Sequence, residues 1–434
     1  MVNWANWTNR TNWIIMKTTK ILSLATMALL LLVLLQGATH IIPVRSLKGV
    51  YVGEERPQFT LQGFLNGDWQ QQCDRYAKEH HGFREGAIRL HNQYVWSLYH
   101  QSPNAGAVLV GKDNYLFEPY FVDEYYEGCM YQFTEDSAEM AQAFDRTARR
   151  LAKLQAILEE RGVHLFVACL PGKEQVYPQQ MPERGSRTRT KYMTAVERYP
   201  ALFDRYGVRY VNLAQHFDSL KGRTPYLLFP KTGTHWSNIA STYAFDSVMR
   251  YMQHFGPAIA PVTLGEPYYD KRREPDADLD ELLNKIFYIP AEKNQYVDVR
   301  LPQPQPEGER PSLVVIGDSF FWNVLYNFPI SELFSHVRYW YYFSSIYCDP
   351  EFENKTVNDI DLVEQLLSAD YVMLSYCTVQ LYKLGNGFIN RALMELCCDA
   401  DEIASVRSRL EADTTSSLSV EERLDRDLEY YFNL

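Results

Sequence analysis

Val314-Val315-Ile316-Gly317-Asp318-Ser319-Phe320 is the stretch on which the fold turns. Together with Leu313 it opens as a short, unbroken apolar run, the pattern of a strand covered on both faces, as in a parallel sheet. Gly317 lets the chain turn without a Cβ clash. In an open parallel sheet, ligands sit beyond the carboxyl ends of the strands, and Ser319 falls just past this one. Phe320-Phe321-Trp322 then opens a helix whose first N–H groups can face a developing oxyanion. The same residues also fit a plain strand-to-helix turn in which Ser319 caps the helix.

A second stretch, Lys231-Thr232-Gly233-Thr234-His235-Trp236, is turn-like and leads into a helical pattern over 236–253, opened by Thr234 or the nearby turn. A serine at a strand end and a histidine at a helix start are the minimum equipment for nucleophilic acyl chemistry. Most lone histidines are structural. His235 stands out by its loop-to-helix position, where the helix N-terminus is expected to weaken its hold on a proton and keep it ready to accept one.

Outward from these motifs, strands and helices alternate. Residues 66–99 read as mainly helical, and 107–110 and 115–117 flank Gly111-Lys112-Asp113-Asn114 as a hairpin. Met140, Phe144, Ala148, Leu151, Leu154 and Leu158 recur at helical spacing over 135–161. Buried strands follow at 163–169, 209–213, 313–316, 337–343 and 371–375, with a helix at 361–367. The alternation predicts an α/β fold: a doubly wound, mostly parallel sheet with helices on both faces. On this reading the chain divides into an extension (1–15), a membrane anchor or signal segment (16–38), a linker with helices (39–105), the α/β domain (106–400) and a charged helical tail (401–434).

Composition narrows the partners. Of 434 residues, 46% are apolar, enough for a sizeable core, and the formal charge of −11 argues against nucleic acid. Two basic clusters, Arg184, Arg187, Arg189 and Lys191, then Lys271, Arg272 and Arg273, read first as solvated loops, although a local basic groove can still meet an acidic polymer. Seven cysteines lack any metal-binding spacing, so no metal site is expected. Cys169 and Cys377 fall in apolar runs as buried thiols. Lys17 and Lys20 precede an apolar run over 21–35. Gln36-Gly37-Ala38 fits signal cleavage poorly, so an uncleaved anchor is expected, with the N-terminus cytoplasmic and the body outside. Met16-Lys17-Thr18-Thr19-Lys20 reads as a natural start, which makes residues 1–15 a misannotated extension.

The chain resembles the SGNH-hydrolase-like domain of alginate O-acetyltransferases of the AlgJ/AlgX type. In that family an Asp-x-His-Trp segment supplies acid and base, and a later Gly-Asp-Ser-Phe segment supplies the nucleophile, the order found here for His235 and Ser319. The resemblance extends to His81-Gly82-Phe83-Arg84, to the Gly111–Phe117 hairpin sequence, to Pro171-Gly172-Lys173 with Tyr177-Pro178, and to Asp278-Leu279-Asp280-Glu281-Leu282-Leu283, over roughly residues 60–400. One position departs: the family's acid lies two residues before the histidine, where this chain has Gly233. Three readings stand. Another carboxylate fills the role, with Asp318, Asp246 and Asp218 as candidates; or a backbone carbonyl holds the ring in a Ser–His dyad; or the protein is a weak or binding-only relative. Lys173 reads as a substrate contact or a solvated loop lysine, and Trp236 as a sugar-stacking ring or a core residue.

The resemblance implies an O-acyltransferase outside the cytoplasm, anchored in the cytoplasmic membrane, that needs no cofactor. Ser319 would carry acetyl to hydroxyls of a cell-surface polysaccharide, with His235 as base. A separate membrane-bound O-acyltransferase would deliver the acetyl group. Water in place of the sugar would make the protein a carbohydrate esterase. Loss of turnover would make it a polysaccharide-binding or assembly component.

Overall fold

The computed structural model describes residues 4–49, 53, 55–128, 137–182, 193–273, 275–290, 294–413 and 415–432. Cys129 and the cluster Arg184, Arg187, Arg189 and Lys191 lie outside them. The chain forms two compact units, residues 1–105 with 281–288, and residues 106–280 with 289–434.

In the first unit, the helix Trp4–Thr39 contains the stretch Ile15–Thr39, with a mean hydropathy of 2.3 and enough length to cross a membrane. Helices Leu61–Asn66, Asp68–His80 and Arg84–Tyr99 follow. The last is tied to residues 281–288: the Asn92 amide donates to Leu283 O at 2.9 Å, and the Lys285 ammonium lies 4.1 Å from the centre of the Trp96 ring.

The second unit is built on a six-stranded sheet. Its strands are β1 (His164–Leu170), β2 (Tyr210–Asn212), β3 (Leu313–Gly317), β4 (Val337–Tyr341), β5 (Ser345–Tyr347) and β6 (Tyr371–Cys377), in the spatial order β5-β4-β3-β6-β1-β2. All neighbours are parallel except β4 and β5, which are antiparallel. The sheet is therefore doubly wound and mostly parallel, as the alternating pattern predicts. All of β3 and β6 is buried, and alternate side chains enter opposite cores. Val314, Ile316, Val372 and Leu374 pack on one face with the helices Ser137–Glu159, Ala195–Tyr206 and Phe388–Cys397. Val315, Tyr371 and Met373 pack on the other with Asn238–Met252 and Phe321–Asn327. This two-sided burial is why the strands read as continuous apolar runs rather than as alternating ones.

The charged C-terminal segment is helical, over Ala400–Ala412 and Val420–Phe432. It is not merely solvated: Val406, Leu410, Leu424 and Leu428 join the first of these cores. Arg272 pairs with the buried Asp280 at 3.5 Å, whereas Arg273 forms an exposed pair with Asp270 at 2.8 Å.

Candidate active site

The carboxyl edge of the sheet carries the site. After β3, Gly317 turns directly against β6, where a Cβ would stand 2.7 Å from Ser375 O. The buried Asp318 carboxylate then fixes the turn, accepting from the Phe320 N–H at 3.1 Å and from the Cys377 N–H at 2.6 Å. Burial raises its pKa and those backbone bonds oppose the rise. Ser319 is thereby presented at the start of the helix Phe321–Asn327.

His235 reaches it from the other motif. The Ser319 O–H donates to His235 Nε2 at 2.8 Å, across eighty-four (84) positions of sequence. The Nδ1–H donates to Asp278 Oδ2 at 2.6 Å. This carboxylate selects the tautomer that leaves Nε2 free to accept. Asp278 is itself anchored, its Oδ1 accepting from the Thr234 and Leu279 N–H groups, each at 2.8 Å. Hydroxyl, imidazole and carboxylate thus form one continuous relay, which has the connectivity needed to activate a serine.

Neighbouring residues lock the two motifs together. The Trp236 indole N–H donates to Phe320 O at 2.9 Å, and the Asn323 amide donates to Trp236 O at 3.0 Å. Each residue that follows a reacting group therefore grips the opposite segment. The loop before His235 is clasped as well: Asp280 N–H donates to Thr232 O, and the Thr232 hydroxyl donates to Asp276 O, both at 3.1 Å. Ser237, not Thr234, caps the helix Asn238–Met252, its Oγ accepting from the Ala240 N–H.

Several expectations are corrected here. Among the described residues, Asp278 is the group that meets His235 Nδ1, and Asp318, Asp246 and Asp218 do not. Asp318 is committed to backbone N–H groups, Asp246 pairs with Arg250 at 2.9 Å, and Asp218 is exposed on another helix. Trp236 is 3% exposed and lies in the core, so it presents no face to a sugar. Lys173 is neither a solvated lysine nor an open substrate contact. It is 3% exposed, and its ammonium donates to Leu116 O and Lys231 O, which pins the hairpin and the histidine loop. Burial pulls its pKa down to about 7, against the pull of Asp278, Glu118 and Glu174. The pKa of His235 is raised, not lowered. Burial alone would depress it, but the Asp278 hydrogen bond and charge, aided by Glu118 and Asp318, outweigh that effect. Glu118, bonded to Tyr120, is pushed up to about 6 by burial.

Asp278 stands in a segment that carries the family resemblance, but it was not read as the acid because it is forty-three (43) positions from the histidine. One signal was present. A Gly233 Cβ would lie 2.8 Å from Pro275 O and 2.9 Å from the Asp276 carbonyl carbon. The missing side chain thus marks the place where the acid-bearing segment packs.

Residues 108–331, slightly more than half of the chain, match the family described as "SGNH hydrolase-like domain, acetyltransferase AlgX". The chain belongs to this family. Among solved structures, this AlgX-type chain is similar to the O-acetyltransferase domain of Pseudomonas putida AlgJ (16% identity, TM-score 0.42, covering 64% of this chain and 92% of that one). It is also similar to Pseudomonas aeruginosa AlgX (13%, 0.40, covering 65% of each) and to Bacillus cereus PatB1 with a sulfonyl adduct (13%, 0.38, covering 64% and 98%). A search of curated proteins gives no match.

Proposed function

We propose that the protein is an extracytoplasmic O-acetyltransferase, anchored by its N-terminal helix, that acetylates hydroxyls of a cell-surface polysaccharide through an acyl-serine. The observation that carries this reading is the Ser319–His235–Asp278 relay at 2.8 and 2.6 Å. Ser319 Oγ attacks the carbonyl of an acetyl donor while His235 Nε2 takes its proton. The Ser319 N–H, at the strand-to-helix turn, faces the oxyanion, a role whose removal costs on the order of 10²–10³ in turnover in other enzymes. The imidazolium then protonates the leaving group, and the acetyl ester remains on Ser319. In the second half, His235 deprotonates a sugar hydroxyl, which attacks the ester and releases Ser319. Asp278 stabilises the imidazolium in both halves, in keeping with the raised His235 pKa.

Placement outside the cytoplasm is supported by the apolar stretch Ile15–Thr39, with Lys17 and Lys20 near its start. Delivery of acetyl by a separate membrane-bound O-acyltransferase is part of the proposal and rests on the family resemblance.

The test is intact-mass analysis after incubation with p-nitrophenyl acetate. An acetyl adduct on the wild type, mapped to Ser319 and lost in Ser319→Ala, is the expected result. No adduct, or one that survives Ser319→Ala, sinks the proposal. Oligosaccharides that raise ester product above hydrolysis separate a transferase from an esterase.

A further inference from the structure

Directly beside Ser319 lies a run of aromatic rings that the relay does not use. Tyr342 follows β4 and donates its N–H to Gly317 O at 2.8 Å, and its phenol hydrogen-bonds Ser319. Its ring centre is 4.6 Å from that of Tyr341. Tyr341 meets Trp322 at 6.0 Å, and Trp322 meets Tyr347 at 4.9 Å and Tyr326 at 6.2 Å. Trp322 is itself tied to the nucleophile, its N–H donating to Ser319 O. The inner members rest on the core, whereas the outer two reach solvent: Tyr326 is 66% exposed and Tyr347 is 40% exposed.

Contiguous exposed aromatics are costly to leave wet and mark binding surfaces. Tyrosine and tryptophan suit a partner that is apolar on its faces and polar at its edges, because the ring supplies area and the hydroxyl or indole N–H supplies a hydrogen bond. A pyranose with equatorial substituents has that character: axial C–H groups on its faces and hydroxyls around its rim. The charge setting points the same way. Among the described residues, no Lys or Arg lies over any of these five rings. Burial and the Asp318 carboxylate together raise the Tyr341 and Tyr342 phenols. A uronate polymer would have to approach the inner rings against the field of the Asp318 carboxylate.

We infer that Tyr342, Tyr341, Trp322, Tyr347 and Tyr326 form the acceptor subsite, and that it takes a neutral glycan of equatorially substituted pyranoses rather than an acidic one. This rests on the proposed acetyl transfer at Ser319 and names the acceptor for it.

The experiment measures binding by calorimetry on the full chain bearing Ser319→Ala, with cellohexaose and hexameric mannuronate as probes. It therefore does not depend on turnover. Cellohexaose should bind and the mannuronate should bind at least tenfold more weakly. Tyr326→Ala and Tyr347→Ala, on the solvent edge, should each weaken cellohexaose about tenfold. Tyr347→Phe, which keeps the ring, should retain most of the affinity. Thermal melts of each variant separate lost binding from lost folding. Mannuronate binding equal to or tighter than cellohexaose, or cellohexaose binding indifferent to both alanine variants in folded protein, overturns the inference. Ring-dependent binding alongside a wild type that forms no acetyl-Ser319 would uphold the subsite and defeat the transferase reading.

Discussion

Two aspartates act on His235 from opposite environments. Asp318 is fully buried at the end of β3 and spends its oxygens on the Phe320 and Cys377 N–H groups. Asp278 opens the short helix Asp278–Leu282 with its side chain 27% exposed, and it divides its oxygens between two backbone N–H groups and the imidazole. Proximity to the site is shared; what differs is what each carboxylate bonds. Asp318 staples two strand ends and so shapes the turn that presents Ser319, whereas Asp278 places a charge against the imidazole, where the proposed acyl transfer would bring a proton. Stability and catalysis should therefore separate between them.

Asparagine substitutions test that separation, with the largest effect expected at the imidazole. Asp278→Asn should lower turnover by on the order of 10⁴, the loss seen when a triad acid loses only its charge. His235 must be neutral to accept a proton, so activity falls as pH drops through its raised pKa. Removing the charge that raises it should move this acid limb to lower pH. Asp318→Asn should instead cost on the order of 2 kcal/mol of stability, because one of two buried N–H donors would face an amide N–H₂. Denaturant melts and pH–rate profiles on both variants check the pair. Equal loss of stability in both would erase the distinction.

The two sides also differ in how much the sequence discloses. A buried parallel strand announces itself in Leu313–Gly317, and glycine followed by Asp318 and Ser319 locates the turn, because every determinant is local. His235 is legible as a residue at a loop-to-helix junction. Its partnership with Ser319 is tertiary and came through the family resemblance. The role of Asp278 was hidden because tertiary packing of a short helix start, not periodicity, brings it to the ring. Lys173 was misjudged, and Trp236 was left between a sugar contact and the core where it lies, for a related reason. Residue type suggests what a side chain can do, but burial decides what it does, and burial in loops and single-turn helices leaves no repeat in the sequence.

Lys173 gives a smaller and sharper test of the loop side. Its folded pKa is lowered to about 7 from 10.5. Below pH 7 the folded and unfolded states both hold the proton, and the burial penalty is present in full. Above pH 7 the unfolded chain binds more protons than the folded one, so stability rises with pH until the unfolded lysine titrates. Relative to Lys173→Met, the wild type should gain about 2 kcal/mol of unfolding free energy between pH 7 and pH 9. Urea melts across that range measure the difference. A flat difference would mean that the ammonium is not desolvated between Leu116 O and Lys231 O.

The smallest effect is expected at Gly233, and it bears on why the acid comes from elsewhere. A Cβ at this position would stand 2.8 Å from Pro275 O and 2.9 Å from the Asp276 carbonyl carbon, closer than real contacts allow. Gly233→Ala must push the 275–276 backbone outward, at a cost of about 1 kcal/mol for a loop that can give slightly. Asp278 lies two residues beyond that backbone, so the same shift should lengthen its contact with His235 and lower turnover more than Tm. An aspartate at 233 meets the same backbone before its carboxylate can reach the imidazole. Gly233→Asp in the Asp278→Asn background should therefore fail to restore activity. Restored turnover would show that the clasp is loose and that either segment can supply the acid.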